Sequence, residues 1–316
     1  MKIKKVFFLN ISAVLLLLAA CSALKPTPMP TQPAPTPTIL PATGVVYHFV
    51  TNKLMLPTTQ VQTQMFALNV DGDSQQHADN MFGTLLTLLT SATPSLELQS
   101  TVDQAVNSGQ LVTLHVVKAD DPLNDPSVSW SIAEGQKTQS APMFDGSDKF
   151  VLDATAPLNT PIVGSLTNGH FTGGPGTARV QMLLLGQLIK VDLIGVRIEA
   201  DLSATGCANG KLGGGVTVEQ FRGKLLPAVA DGLNQIIKVD KAAASTLLQV
   251  FDSDHNGTIT TQELEGNPLL MIAISPDLDL LDSAGKFNPG QDGVKDSYSV
   301  GLGFTCVPAT FTTSEN

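Results

Sequence analysis

The spacing of apolar residues changes between two cysteines, Cys207 and Cys306, and that change limits what the chain can fold into. Residues 188–204 (LIKVDLIGVRIEADLSA) put Val191 and Leu193 on one face. After a slip near Gly195, Val196, Ile198, Ala200 and Leu202 continue that face, the pattern of a strand carrying a β-bulge. Residues 298–312 alternate likewise through Val300, Leu302, Phe304 and Cys306, with Pro308 marking the end of pairing. Between these strands the period becomes helical. Gly213-Gly214-Gly215 reads as a strand break, and Thr217 with Gln220 as a capping box. Phe221, Leu225, Val229, Leu233 and Ile237 form an i, i+4 stripe, kinked at Pro227. A further helix is predicted from Lys241 to Phe251.

Upstream, residues 45–50, 61–70, 111–118, 127–133, 149–154 and 177–185 read as short strands, and Gly173-Gly174-Pro175-Gly176 as a turn between hairpin arms. Residues 79–92 read as a helix capped by Asp79, and about 95–107 as a second one ending at Gly109. The expected fold class is α+β: an antiparallel β-sandwich-like body with a helical excursion.

The amino terminus supplies an address. Lys2, Lys4 and Lys5 precede a nearly continuous apolar run from Val6 to Ala20, the length of a signal-peptide core. The run ends Leu18-Ala19-Ala20-Cys21, and these residues resemble the lipobox of bacterial lipoproteins. The resemblance implies that residues 1–20 are removed and that Cys21 carries acyl chains. Each buried CH₂ contributes about 0.8 kcal/mol, so two or three chains anchor a protein to a bilayer. Ser22, in place of an inner-membrane retention Asp, points to the outer membrane. Residues 21–43 hold the lipidated Cys21 and a Pro/Thr tether, KPTPMPTQPAPTPTILPA over 25–42, that spans roughly 50 Å when extended.

With Cys21 lipidated, Cys207 and Cys306 remain as an even pair in an exported chain, and an even pair of that kind predicts a disulfide closing a loop of 99 residues. The domain plan is then a β-rich body over 44–207, a helical excursion over 208–297, and a returning strand within 298–316. Net charge is −10, and loss of residues 1–20 with their three lysines leaves −13. Such a chain repels phosphate backbones, which excludes nucleic acid as a partner. One Trp and two Tyr make a poor stacking platform for sugars or bases.

Residues 252–263 read Asp-Ser-Asp-His-Asn-Gly-Thr-Ile-Thr-Thr-Gln-Glu. Every required position of D-x-[DN]-x-[DN]-G-x₅-E is filled. A Ca²⁺ ion takes about seven oxygen ligands at roughly 2.3–2.6 Å. Asp252, Asp254 and Asn256 would supply side-chain oxygens, Thr258 its carbonyl, Thr260 a water-mediated contact and Glu263 a bidentate carboxylate. Gly257 allows the positive-φ turn. Ala244, Leu247, Leu248 and Phe251 give the apolar pattern of an entering helix, and the stretch 241–265 resembles an EF-hand. Gly266 and Asn267-Pro268 depart from the family by cutting the exiting helix short, and no second full loop is found to pair with this one. The resemblance therefore implies a structural calcium site, with a dissociation constant on the order of 10⁻⁵–10⁻³ M.

Two other acidic stretches stand out. Asn69 to Asp79 resembles the calcium loops of secreted proteins, with Ser74 replacing a glycine and two residues inserted; it also reads as a polar loop capping the helix that follows. Asp277, Asp279, Asp282, Asp292 and Asp296 match no template and read as a solvated loop. The five histidines form no ligand pair, and His115 reads as a satisfied imidazole. No nucleophile elbow or P-loop appears.

As a whole the chain resembles bacterial lipoproteins of a myxobacterial type, which join lipobox and Pro/Thr tether to a β-rich body with a single EF-hand. FTGGPGT (171–177), ATGCANGKLGG (204–214), DGVKDSYSVGLGFTC (292–306) and the calcium loop carry the likeness. It implies a lipid-anchored, calcium-stabilised protein of the cell envelope with a structural or binding role. An extracellular hydrolase acting on glycan or lipid, and an adhesion or ligand-binding sandwich, are the alternatives.

Overall fold

The computed structural model describes residues 44–73, 79–92, 96–156 and 160–312. The leader, Cys21 and the tether lie outside the described residues. The described residues begin with strand β1 (Val45–Met55), followed by α1 (Gln60–Met65), α2 (Met81–Ala92) and α3 (Leu98–Asn107). Strands β2 (Thr113–Ala119), β3 (Asp125–Glu134), β4 (Lys149–Val151), β5 (Ile162–Thr167), β6 (His170–Leu184), β7 (Gln187–Ser203) and β8 (Gly206–Thr217) come next. Helices α4 (Val218–Gln220), α5 (Leu226–Val239), α6 (Lys241–Phe251), α7 (Thr261–Gly266) and α8 (Pro268–Ala273) lead back to β9 (Ser297–Pro308) and β10 (Thr310–Thr312).

The α+β class and its antiparallel body are as expected from the periodicity. Eight strands, β1-β2-β3-β5-β6-β7-β8-β9, are joined edge to edge, and β1 pairs with β9 to close the ring. The body is thus a closed barrel where alternation led to a sandwich-like reading. Alternation reports one buried face per strand, which both architectures share; closure depends on a pairing between chain ends that local pattern does not encode. Val191, Leu193, Val196, Ile198, Trp130, Phe49 and Phe171 are buried, while the alternate positions Lys190, Asp192, Arg197, Glu199 and Asp201 of β7 are polar. An apolar inside and a charged outside reverse what a barrel crossing a bilayer presents. No helix among the described residues is long and apolar enough to cross a membrane.

Inside the barrel, Trp130 Nε1–H donates to His115 Nδ1 at 3.1 Å, so the other ring nitrogen carries the proton toward Thr51 Oγ1 at 2.8 Å. Burial pulls the His115 pKa down to about 3 and keeps the ring neutral. Both helical insertions, between β1 and β2 and between β8 and β9, leave from one end of the barrel. The described chain begins at the other end, where Val45 pairs with Ala119.

Several local readings are corrected. Residues 61–70 hold a helix instead of a strand, because Thr59 caps Gln62 and the alternating Val61 and Met65 are exposed. Asp79 does not cap α2; Asn80 does, through the Gly83 N–H at 3.1 Å. Gly173 to Gly176 lie within β6, where the register shifts against β7, so they form no turn. Gly213-Gly214-Gly215 likewise continue β8, and the helical excursion starts at Val218. Glycine is needed there because a second layer sits on the barrel wall: a Cβ at Gly215 would collide with Leu280. Thr217 does cap Gln220, but the Gln220 amide turns to Asp192, so the box is half made. A π-helical turn over Phe221–Leu225, with the Leu226 N–H reaching the Phe221 carbonyl, precedes Pro227. Gly195 has φ +64 at the expected bulge in β7.

Cys207 and Cys306 face each other across β8 and β9 and are bonded, with Cα atoms 4.8 Å apart. The bond closes a 99-residue loop on strands already paired. Replacing both cysteines by alanine is expected to cost about 2–4 kcal/mol in urea unfolding. A loss under about 0.5 kcal/mol, no more than an ordinary surface substitution, would show that strand pairing alone fixes the ring.

Candidate metal centre

The carboxylates of the 252–263 loop are positioned by the helices on either side. Helix α6 starts at Asp240, whose side chain accepts the Ala242 and Ala243 N–H groups, and its apolar face buries Ala243, Leu247 and Phe251. It ends at Asp252, which is 4% exposed. Asp252 accepts the Asn256 N–H at 3.1 Å and the Gly257 N–H at 2.8 Å, curling the loop around its carboxylate. His255 (φ 60) and Gly257 (φ 85) provide the left-handed turns that this curl requires.

The far side closes through Glu263. Its Oε2 accepts the Thr260 N–H and hydroxyl, each at 2.9 Å, completing a capping box at the start of α7. Its Oε1 reaches back across the loop to the Ser253 N–H at 2.8 Å. The Thr260 N–H is the main cause that holds the Glu263 carboxyl at about 2, with the Thr260 hydroxyl and the Asp254 and Ser253 N–H groups adding to it. The side chain is ionised throughout the physiological range.

One oxygen from each of Asp252, Asp254 and Glu263 lies within 4.8 Å of the others. Oxygens around one Ca²⁺ at roughly 2.3–2.6 Å can lie no more than about 5 Å apart, so the three fit a single ion. Among the described residues, three acidic or His/Cys groups come within such reach here and nowhere else. The donor set is all oxygen, as a hard cation requires. The other expected ligands are less advanced. Asn256 Oδ1 accepts the Thr258 N–H and its Nδ2 donates to Asp254, and the Thr260 hydroxyl donates to Glu263.

Sequence reading missed Asn234. This α5 residue accepts the Ile259 N–H at 2.9 Å and donates to the Ile259 carbonyl at 2.7 Å. Nothing in the local pattern marks it, because it precedes Ile259 by 25 residues and sits in another helix.

The two further acidic stretches, far apart in sequence, meet on the outer wall of the barrel. Lys295 Nζ lies 3.4 Å from Asp71, and Val70, Leu278 and Leu280 form a small shared core. Asp279 is buried and not solvated as expected, because its carboxylate accepts the Gly293 N–H at 2.7 Å and ties its loop together. Asp79, 4% exposed, accepts the Val70 N–H at 2.8 Å. Burial raises its pKa to about 6, and the carboxylates of Asp71 and Asp277 push the same way. Residues 74–78 of this stretch lie outside the described residues.

Charged pairs elsewhere are anchors. Lys190 Nζ lies 2.8 Å from both the buried Glu134 and Asp153 and is shared between the two carboxylates. His170 Nδ1 meets Asp201 at 2.7 Å on the open barrel surface. Compared with protein-family models, curated proteins and solved structures, the chain matches none.

The Asp79 environment sets a pH dependence. A carboxyl whose folded pKa is raised favours the folded state fully only below its unfolded pKa, and that contribution is lost as pH rises through about 6. Asp79→Asn keeps the acceptor for Val70 and removes the charge. It is expected to stabilise the protein at pH 7.5 by on the order of 1 kcal/mol, after discounting for solvent screening. The gain should shrink at pH 5, and equal melting shifts at both pH values would show that Asp79 is not the group responsible.

Proposed function

We propose that this chain is a calcium-binding, lipid-anchored protein of the cell envelope, in which the ion stabilises the helical cap of a β-barrel. The observation that carries the reading is the convergence of Asp252, Asp254 and Glu263 in a loop whose sequence resembles an EF-hand. Three carboxylates held so close repel one another, and a divalent cation removes that repulsion while gathering the two helices that flank the loop. Asp252, Asp254, Asn256 and Glu263 would hold it with side-chain oxygens, Thr258 with its carbonyl, and Thr260 through water. The anchoring half of the reading rests on Leu18-Ala19-Ala20-Cys21 and the tether behind it. A structural or binding role is supported by the place of the loop, which lies between helices α6 and α7 that are packed into the cap.

Calorimetric titration of the chelator-treated protein with calcium is expected to give one site. At a hundredfold excess over Kd the ion contributes about 2.7 kcal/mol, which raises Tm by about 4–5 °C in a chain of this size. Glu263→Gln and Asp252→Ala should abolish both effects. Undiminished binding in either variant, or none in the parent at millimolar calcium, would overturn the assignment. For the anchor, Cys21→Ser is expected to move the protein from the membrane to the soluble fraction of the cells that export it. Membrane retention of that variant would point to an uncleaved leader instead.

A further inference from the structure

In paired calcium loops the eighth residue of each loop bonds to its counterpart in a short two-stranded bridge, and each loop braces the other. Here the eighth residue is Ile259, 1% exposed, and no second loop stands beside it among the described residues. Its peptide groups are not left open. The Asn234 side chain supplies both halves of the missing bridge, accepting the Ile259 N–H at 2.9 Å and donating to the Ile259 carbonyl at 2.7 Å. A primary amide presents one donor and one acceptor in the same plane, as a peptide group does, so it can imitate one residue of a neighbouring strand.

The same device recurs in this molecule. Asn80 accepts the Gly301 N–H and donates to the Gly301 carbonyl, at 2.9 and 3.1 Å. Gln220 does so for Asp192, at 3.0 Å in both directions. Gln99 bridges the Leu56 N–H and the Leu54 carbonyl, each at 2.8 Å. In all four cases a residue in or beside a helix satisfies main-chain groups of another element.

We infer that Asn234 is a positioning residue for the calcium loop, taking the place of a partner loop and making a lone site self-sufficient. This rests on the calcium reading above. Ile259 is flanked by Thr258 and Thr260, two of the expected ligand positions, and lies four residues before Glu263. Fixing its peptide plane fixes the direction of the Thr258 carbonyl and the approach of the α7 start. Asn234 itself is held by a helix whose Leu233 is fully buried and whose Gly232 packs against Leu185 of the β6–β7 turn. The loop is thus referenced to the barrel through one amide.

The test compares calcium affinity with the stability of the calcium-free protein in three variants. Asn234→Ala removes both bonds, and the isosteric Asn234→Asp keeps only the acceptor. Leu233→Ala opens the core under the same helix while leaving the Asn234 amide and both its bonding groups in place. Loss of an outer partner to a metal site typically costs roughly ten- to a hundredfold in affinity. Asn234→Ala is expected to weaken calcium binding by that factor and Asn234→Asp by less, with faster hydrogen exchange at the Ile259 amide in both. Leu233→Ala should lower the melting temperature in chelator more than either, at near-parent affinity. Parent-like affinity in both Asn234 variants, or an equal affinity loss in Leu233→Ala, would overturn the positioning role while leaving the site in place. If the unmodified protein binds no calcium, the underlying reading fails first.

Discussion

A main-chain N–H or carbonyl withdrawn from water must find a partner, and this fold is organised by how it meets that demand. Closing eight strands into a ring satisfies most of it, since no edge of the barrel is left open. The demand returns wherever a strand outruns its neighbour or a loop enters the core. Strand β7 outruns β8 at its start, where pairing begins only at Ile194, and Gln220 takes up the Asp192 peptide. Asn80 secures the start of α2 to Gly301 of β9 in the same way. These bonds join the helical cap to the barrel with fixed geometry, which apolar packing alone does not impose.

The glycines on the outer wall belong to the same solution. Gly301 and Gly303 leave room for Phe66, and Gly213 for Leu68, so a second layer lies directly on the strands. That layer brings residues 66–71 and 277–296 together. Charge is the cost: Asp71, Asp79 and Asp277 gather beside Lys295, and burial also raises the pKa of the Asp277 carboxyl. Its two bonds from Ser299, at 2.8 Å to the N–H and 2.5 Å to the hydroxyl, offset part of that burial. The wall is therefore close-packed but electrostatically loaded.

What could be read from the sequence was what local pattern encodes. The alternation in β7 and β9, the bulge at Gly195, the α6 boundaries and the Cys207–Cys306 pairing all follow from neighbours a few residues apart or from counting. Barrel closure was not legible, because the β1–β9 pairing joins residues some 250 positions apart, as Lys53 and Thr305 do. Glycines were misread for a related reason. Gly213 to Gly215 look like strand breakers, yet Gly213 makes room for Leu68 and Gly215 for Leu280, contacts made by distant segments. Of the candidate site, the carboxylates were legible since one loop holds them all; Asn234 was not, since its partner is known only once α5 is placed.

The arrangement around the loop bears on whether calcium would switch or stabilise. A switching site needs two long helices free to change angle, so that occupancy opens an apolar groove. Here α7 spans Thr261 to Gly266 and stops at Asn267, which caps α8. The Asn267 amide also donates to the Val250 carbonyl near the end of α6, at 2.7 Å. The exit from the loop is thereby tied to the helix that enters it, and Asn234 ties the middle of the loop to α5. Any rotation of α6 against α7 must break the Asn267 bond, and any lift of the loop must break those to Ile259. With both ends and the centre pinned, a bound calcium ion would have little movement to release. Its free energy is then available chiefly as resistance to unfolding, which favours a stabilising ion over a sensor.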